Sequence, residues 1–224
     1  MSAQLTNAIR KFAQANITDQ FTTSLVGKIG DDQTFDEARD AAILGYAKAG
    51  ALISKSAKIH STAIVINSYV GDDVVVWENA TVRNSIILNG TVVGHCSEVV
   101  RSVIGSGCSL PRFNYVGASI LGSGVSLGGA TTFASRRLDD SVVTLRHGNL
   151  EFNTRQKKFG AIVGDASQIG FSTHVNPGTV IGKNVTVMPL IELAGEVPEN
   201  TIVSRVQELH VQDRTRLTNL TRMN

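Results

Sequence analysis

The residues that could do chemistry are thinly spread along this chain of 224 residues. The five histidines are His60, His95, His147, His174 and His210. None of them are paired at the i, i+2 or i, i+4 spacing typical of metal ligands, so we expect no metal. The chain has no G-x-S-x-G sequence, no P-loop, no Rossmann fingerprint and no cysteine placed near a base. A local motif for nucleophilic catalysis or nucleotide binding is therefore not indicated.

Cysteine usage and charge limit the compartment and the partners. Cys96 and Cys108 form no C-x-x-C motif, which predicts reduced, buried thiols. A net charge of +2 gives no reason to expect nucleic acid or an anionic membrane as a partner. The N-terminus has no apolar signal region, and no apolar run reaches membrane-spanning length. We expect a soluble, cytoplasmic protein.

An aliphatic residue recurs every five or six positions from Val65 to Thr131, and this repeat organises the chain. The steps sum to a period of seventeen, so Val65, Val82, Val99 and Val116 are equivalent positions. A second equivalent set is Ser68, Ser85, Ser102 and Ser119. Six-residue units of this kind predict a parallel β-helix of triangular coils, in its left-handed form. A β-sandwich is the alternative, but its strands are longer and more widely spaced.

The period makes specific structural predictions. The four valines should stack in one inward column, and the serines should form a column at the corner that is one residue short. The glycines that often follow the aliphatic residues suit a corner with positive φ or a tight approach. Trp77 takes one such corner position, where an interface aromatic is favoured over a stacking platform. After residue 160 the steps are all six, so coils of eighteen residues are expected.

The segments around the repeat divide the chain into three parts. Residues 1–51 should be a helical segment, with helices over 4–15 and from Thr34 to about Gly50, and the second should cover the first coil. Residues 52–205 should be the β-helix, and 206–224 a C-terminal tail or helix. An insertion at 133–160 breaks the rhythm and predicts a hairpin around His147-Gly148. Its many cations suit an anionic ligand, although a solvated loop is an equal alternative.

Two stretches carry a resemblance to a known family. PRFNYVGASILGSGVSLGG at 111–129 and KKFGAIVGDASQIGFSTHVNPGTVIGKN at 157–184 flank the insertion. They resemble the acetyltransferase half of bifunctional sugar-1-phosphate nucleotidylyltransferases, a hexapeptide-repeat family of left-handed β-helices. The resemblance implies a homotrimer with acetyl-CoA in a groove between subunits and a histidine as general base. The nucleotidylyltransferase half of that family is missing, so nucleotidylyl transfer is not expected.

The family's site residues carry over only in part. Tyr115 and Lys158 match substrate-binding positions, and Gly129, Phe171 and Met188 would line the coenzyme site by position. Arg112 stands where the family has its catalytic histidine, and an arginine cannot accept a proton at neutral pH. Arg112 is therefore assigned to binding substrate.

Two functions follow as hypotheses. The first is an acyl-CoA-dependent transferase acting on a sugar or sugar phosphate, with His147 or His174 as the replacement base. The second is a non-catalytic β-helix that binds a sugar nucleotide or scaffolds a partner enzyme. Acetyl-CoA turnover with amino sugars distinguishes them.

Overall fold

The computed structural model describes residues 35–48 and 52–206 as a parallel β-helix with one helix and one hairpin. The predicted helix at 4–15 and the tail from 207 lie outside these residues. Coils of three short strands build three parallel sheets, of eight, seven and seven strands. The predicted left-handed parallel β-helix is confirmed. The division of the chain into three parts stays a prediction.

The first sheet contains the strands β1 Lys58–Ile59, β4 Val75–Val76, β7 Val92–His95, β10 Ser109–Arg112, β13 Ser126–Leu127, β18 Gln168–Ile169, β21 Thr186–Val187 and β24 Ile202–Val203. The second sheet contains β2 Ile64–Ile66, β5 Thr81–Arg83, β8 Glu98–Val100, β11 Tyr115–Gly117, β14 Thr132–Phe133, β19 His174–Val175 and β22 Glu192–Leu193. The third sheet contains β3 Tyr69–Val70, β6 Ile86–Ile87, β9 Val103–Ile104, β12 Ile120–Leu121, β17 Ile162–Val163, β20 Val180–Ile181 and β23 Glu196–Val197.

The predicted inward column is present in the second sheet. Val65 pairs with Val82, Val82 with Val99, and Val99 with Val116. The column continues through Phe133, which is fully buried. Stacking of coils gives each inward side chain the apolar neighbours that one coil could not supply. After the insertion the coils first lengthen to eighteen residues, as predicted, since Ile169 pairs with Val187. The last coil departs from the prediction and has sixteen, since Val187 pairs with Val203.

The serine column is also confirmed, and it satisfies the backbone of the short corner. Each serine Oγ accepts a hydrogen bond from the backbone N–H one coil later, as from Ser85 to Ser68 at 3.1 Å and from Ser102 to Ser85 at 3.1 Å. Ser119 closes the series by accepting from the N–H of Ala161 at 3.0 Å. These buried donors have no access to water, so the serines remove the cost of leaving them unpaired.

The glycines after the aliphatic residues are needed for close approach and not for positive φ. Positive φ falls elsewhere in the coil, at residues such as Gly90 (φ 69°) and Asn67 (φ 43°). A Cβ on Gly94 would overlap the backbone of Pro111, and one on Gly128 would overlap Phe171. The positive-φ interpretation of these glycines was wrong, because it is the neighbouring coil that excludes a side chain here.

The third sheet is apolar on both sides, since its outer face is covered. Strand pairs such as Ile86-Ile87 and Ile120-Leu121 are buried at both positions. The helix α1, Phe35–Lys48, packs on this outer face together with the insertion. The helix reaches the first coil as expected, since Tyr46 stacks on Tyr69 there, and it also covers the apolar outer face of the third sheet in later coils.

A buried ion network fixes α1 to the coils. The Arg39 side chain is 2% exposed, and it pairs with Asp36 and with Asp40. Asp36 also pairs with Arg101 of the β-helix, and Arg39 Nη1 donates to the backbone oxygen of Arg101 at 3.1 Å. Each buried charge therefore has an opposite charge and hydrogen bonds, as burial requires.

The insertion folds back onto the same face. Its hairpin joins β15 Thr144–His147 to β16 Leu150–Asn153 through the predicted turn, where Gly148 has a φ of 57°. The side chains of Val143, Leu145, Phe152 and Phe159 are buried against the third sheet. The hairpin is thus part of the packed structure and extends the apolar core outward.

Candidate functional site

The residues with the most chemical potential meet at the corner between the first and second sheets. We call this the His95 corner and define it by residues 77–80, 94–97, 111–114, 128–131, 170–173 and 188–191. The parallel register places corresponding residues of successive coils directly beside one another. A side chain in one coil therefore contacts side chains about seventeen residues away.

Glu78, His95 and Arg112 form a row along the corner. His95 and Arg112 are register partners on β7 and β10, and Glu78 takes the equivalent place in the coil before. His95 Nδ1 lies 3.3 Å from Glu78 Oε1, and both side chains are about two-fifths exposed. Nδ1 makes no hydrogen bond to any of the described residues, so the carboxylate oxygen contacts this nitrogen without an aligned hydrogen bond. The row places a carboxylate, an imidazole and a guanidinium at equivalent positions of three successive coils.

Aromatic side chains wall the groove that holds this row. Trp77 and Phe113 are each about half exposed, and the Phe113 ring meets the His95 ring edge-on at 5.6 Å between centroids. The groove has a volume of about 370 Å³. Trp77 therefore lines a candidate ligand groove, and it remains exposed enough to meet a neighbouring molecule.

Cys96 lies at the turn of the same corner, against His95. Its Sγ is 3.2 Å from His95 Nε2. The expectation that no cysteine lies near a base was wrong, because φ of 52° at Cys96 turns the thiol back toward the preceding residue. The expectation of buried thiols holds for Cys108 but not for Cys96, which is partly exposed.

The three residues predicted to contact coenzyme follow Arg112 along this corner. The Arg112 side chain runs over Gly129, where a Cβ would lie 3.2 Å from Arg112 Cγ. The backbone of Phe171 lies against Gly128 from the next coil, and Met188 follows one coil later. Phe171 is 51% and Met188 45% exposed. The structure thus brings these predicted residues together with Arg112 on one edge.

Tyr115 and His174 lie on the outer face of the second sheet, each directly after the His95 corner in its own coil. Tyr115 pairs with Thr132, which pairs with His174 two coils beyond Tyr115. His174 Nδ1 and Thr132 Oγ1 are 2.6 Å apart, and His174 pairs in register with Glu192. His174 is therefore held at a polar site separate from the Glu78 row within one chain.

His147 lies at the tip of the hairpin, on the side of the third sheet. Its Nδ1 is 2.6 Å from Glu196 Oε1, and the backbone N–H of Gly148 donates to Glu196 Oε2 at 2.7 Å. Glu196 thereby fastens the hairpin tip to β23. Within one chain, His147 is not brought together with Arg112 or Tyr115.

The cations of the insertion are mostly neutralised by its own carboxylates. Asp140 pairs with Lys157 at 2.6 Å and with Arg136 at 2.8 Å. Hydrogen bonds from Lys157 and then Arg136 lower the pKa of the Asp140 carboxyl. The groove beside this loop, of about 850 Å³, is therefore lined by paired charges, and the prediction of an anion site in the loop gains no support. Lys158 lies at the base of the loop, where its backbone forms an isolated antiparallel β-bridge with that of Arg136.

Sequence reasoning missed Glu78 and His95, although a signal was present. Glu78, His95 and Arg112 are seventeen residues apart, which is the coil period. The search for paired histidines used local spacing, whereas neighbours in a solenoid are one period apart. Testing every titratable residue against that period would have identified the row.

In residues 35–48 and 52–206 no group of three histidine, cysteine or acidic side chains is placed to hold a metal ion. In the same part of the chain no helix has the length and apolar character to cross a bilayer.

Comparison with known proteins supports the resemblance. The family described as the GMPPB C-terminal domain matches residues 48–138, which include the Glu78 row. No curated protein matches the sequence. The family match agrees with the resemblance stated from the sequence to the β-helix half of sugar-1-phosphate nucleotidylyltransferases.

Several solved structures resemble this chain at low identity. A hexapeptide transferase family protein from Anaplasma phagocytophilum is 15% identical, covers 74% of this chain and 85% of its own, and has a TM-score of 0.48. The N-acyltransferase AntD from Bacillus cereus, in complex with dTDP-4-amino-4,6-dideoxyglucose and coenzyme A, is 14% identical and has a TM-score of 0.40. The match covers 80% of this chain and 94% of AntD. The acetyltransferase domain of PglB from Neisseria gonorrhoeae, in complex with acetyl coenzyme A, is 18% identical with a TM-score of 0.28, covering 75% and 62%.

Proposed function

We propose that this protein is an acyl-CoA-dependent transferase, with acetyl-CoA as donor, acting on a sugar or sugar phosphate at the His95 corner. The observation that carries the proposal is the position of His95 between Glu78 and Arg112 in an open, aromatic-walled groove. The three side chains supply a base, a group that orients it and a fixed positive charge.

The proposed division of roles follows from the chemistry of each side chain. Imidazole exchanges a proton near neutral pH, so His95 is assigned as the general base for the acceptor amine or hydroxyl. Glu78, beside Nδ1, favours the tautomer that leaves Nε2 free to accept a proton. Arg112 offers paired N–H donors that suit phosphate or carboxylate, and it keeps its charge.

The remaining predicted residues enter the proposal along the same edge. Gly129, Phe171 and Met188 would contact the coenzyme, since they continue the corner beyond Arg112. Tyr115 and Lys158 remain proposed acceptor contacts. A homotrimer is part of the proposal, because a neighbouring copy would turn the open corner into an enclosed groove.

His147 and His174 remain alternative bases within this proposal. Each has a carboxylate partner or neighbour, Glu196 for His147 and Glu192 for His174. His174 lies on the second sheet two coils beyond Tyr115, and His147 lies on the side of the third sheet, so His147 would reach the acceptor only across a subunit boundary. His95 needs no such arrangement and is therefore the preferred base.

A non-catalytic binding protein is the second candidate function. Arg112 favours it, because a permanent charge replaces a titratable group at that position in the row. Such a protein would bind a sugar nucleotide or scaffold a partner enzyme without turning over acetyl-CoA.

Release of free thiol from acetyl-CoA with a panel of amino sugars and their phosphates tests the proposal. We expect turnover by the natural protein and a loss of about a hundredfold in His95→Gln. His60→Gln is the matched control, since His60 is exposed one coil before Trp77 at the same corner. His147→Ala and His174→Ala should keep activity. Absence of turnover with every acceptor would favour the second candidate function. Loss of activity only in His174→Ala or His147→Ala would show that the replaced histidine, and not His95, is the general base.

A further inference from the structure

We infer that Cys96 is a nucleophile that takes the acyl group from the coenzyme A thioester before it passes to the acceptor. The inference rests on the proposed transferase function and adds a covalent step to it. It is based on three side chains, Cys96, His95 and Glu78, which stand in the order of nucleophile, base and orienting carboxylate.

The geometry of the three groups fits this assignment. Cys96 Sγ is 3.2 Å from His95 Nε2, and His95 Nδ1 is 3.3 Å from Glu78 Oε1. The Glu78 carboxylate is close enough to Nδ1 to stabilise a proton on that nitrogen, and in that tautomer Nε2 accepts the thiol proton. The ring is also held by Phe113, edge-on at 5.6 Å. A nucleophile and a base within hydrogen-bond reach, with the base oriented by a third group, are the requirements for an activated thiol.

Access to the thiol is from the side of the second sheet. Cys96 is partly exposed and lines a groove of about 460 Å³ on that side, together with Thr81 and Arg83. His95 lines the neighbouring groove of the same corner. The Sγ–Nε2 contact therefore joins two surface grooves, one for each of two reactants.

Cys108 provides an internal contrast. It is buried, and its thiol donates to the backbone oxygen of Gly122 at 3.0 Å. Burial raises the pKa of Cys108 to about 12. At neutral pH its thiolate population is negligible, so Cys108 should be inert while Cys96 reacts.

The chemistry balances without an added reagent. The Cys96 thiol gives its proton to His95 Nε2, and the thiolate attacks the carbonyl carbon of acetyl-CoA. The new C–S bond forms, the C–S bond to coenzyme A breaks, and the departing coenzyme A thiolate takes the proton from His95. The acceptor amine or hydroxyl then attacks the acetyl-Cys96 carbonyl and gives its proton through His95 to the Cys96 thiolate. One thioester replaces another in the first half, so no large change in bond energy is needed.

Intact-mass spectrometry after incubation with acetyl-CoA, without acceptor, tests the inference directly. We expect one added acetyl group per chain, located at Cys96 by peptide mapping and removed by hydroxylamine, as a thioester is. Cys108→Ser should label as the natural protein does, and Cys96→Ser should form no hydroxylamine-labile adduct. Absence of the adduct from the natural protein, with acetyl transfer intact, would overturn the covalent step and leave the proposed function standing.

Activity and alkylation separate the two proposals further. Cys96→Ala should lower acetyl transfer about a hundredfold, with circular dichroism unchanged. Full transfer by Cys96→Ala means that the acceptor attacks acetyl-CoA directly, which overturns the inference only. Iodoacetamide should modify Cys96 in the natural protein at neutral pH, and about tenfold more slowly in His95→Gln. An equal rate in both proteins shows that His95 does not activate the thiol and would also overturn it.

Discussion

Arg112 is the residue that separates this chain from the family it resembles. The resemblance stated from the sequence puts Arg112 at the position of the family's histidine, and in the structure its neighbour in the preceding coil is His95. A guanidinium beside an imidazole can bind the anionic part of a substrate while the imidazole accepts a proton. In the proposed function, anion binding by Arg112 and proton acceptance by His95 are assigned to residues one coil apart.

Replacement of Arg112 tests its role in binding substrate. We expect Arg112→Gln to raise KM for a sugar-phosphate acceptor about tenfold to a hundredfold, since a charge-assisted hydrogen bond is worth about 1.5–3 kcal/mol. The KM for the same sugar without phosphate should change little. Arg146→Gln is the control, because Arg146 pairs with Glu151 on the hairpin. Equal effects on both acceptors would contradict anion binding by Arg112.

The close stacking of coils is decided at single glycines in the strands. Gly94 in β7 lies against Pro111 of β10, and a Cβ there would overlap the proline backbone. Gly107 lies at the corner between the third and first sheets, where a Cβ would meet no other atom but the backbone φ is 66°. Gly94 is therefore required for steric reasons, and Gly107 is required for its backbone conformation.

The steric and the conformational requirement predict different losses in the free energy of unfolding. Gly94→Ala should lower the free energy of unfolding by about 2–3 kcal/mol, because the coils must move apart. Gly107→Ala should lower it by about 1 kcal/mol, the cost of positive φ in a residue with a Cβ. Chemical denaturation followed by circular dichroism measures both. Equal losses would show that close approach of the coils is not the limiting constraint.

The attachment of α1 depends on one carboxylate between two arginines. Asp36 pairs with buried Arg39 and with Arg101 of the β-helix. We expect Asp36→Asn to cost about 2 kcal/mol, because Arg39 would lose part of the charge that compensates its burial. Asp40→Asn is the control, since Asp40 is 56% exposed. Hydrogen exchange of the α1 amides should increase in Asp36→Asn only, and unchanged protection would refute the role of this carboxylate.

At the scale of the whole molecule, the outer face of the third sheet and the His95 corner differ sharply in how far other parts of the chain cover them. The outer face of the third sheet is packed under α1 and the insertion. The His95 corner leaves large apolar side chains about half exposed, namely Trp77, Phe113, Phe171, Met188 and Leu190. Apolar surface of this kind marks an interaction site, and copies of this chain are the proposed occupant.

Sedimentation equilibrium tests the proposed trimer. We expect three times the chain mass of 23.9 kDa for the natural protein. Phe171→Glu should shift the population toward monomer, because a carboxylate would be buried in the interface. Leu138→Glu is the control, since Leu138 is fully exposed on the insertion. A monomer mass for the natural protein would remove the groove between subunits from the proposed function.

The periodic part of the structure could be predicted from sequence because each coil obeys the same local rule. Val65, Val82 and Val99 repeat at the coil period, and the stacked register follows from that spacing alone. The corner serines were predicted for the same reason. The apolar outer side of the third sheet could have been predicted from adjacent aliphatic pairs such as Ile86-Ile87. Neighbouring residues of a strand point to opposite faces, so two adjacent aliphatic residues indicate that both faces are buried.

The sequence by itself determined the left-handed β-helix, its columns, the hairpin turn and the position of Arg112 in the family pattern. Only the tertiary structure decided that α1 and the insertion cover the third sheet, since that depends on which apolar surfaces meet. It also decided the contact of Cys96 with His95, because backbone conformation at one corner sets where a thiol points. Side-chain partners across coils depend on register and turn geometry together, and local spacing contains neither.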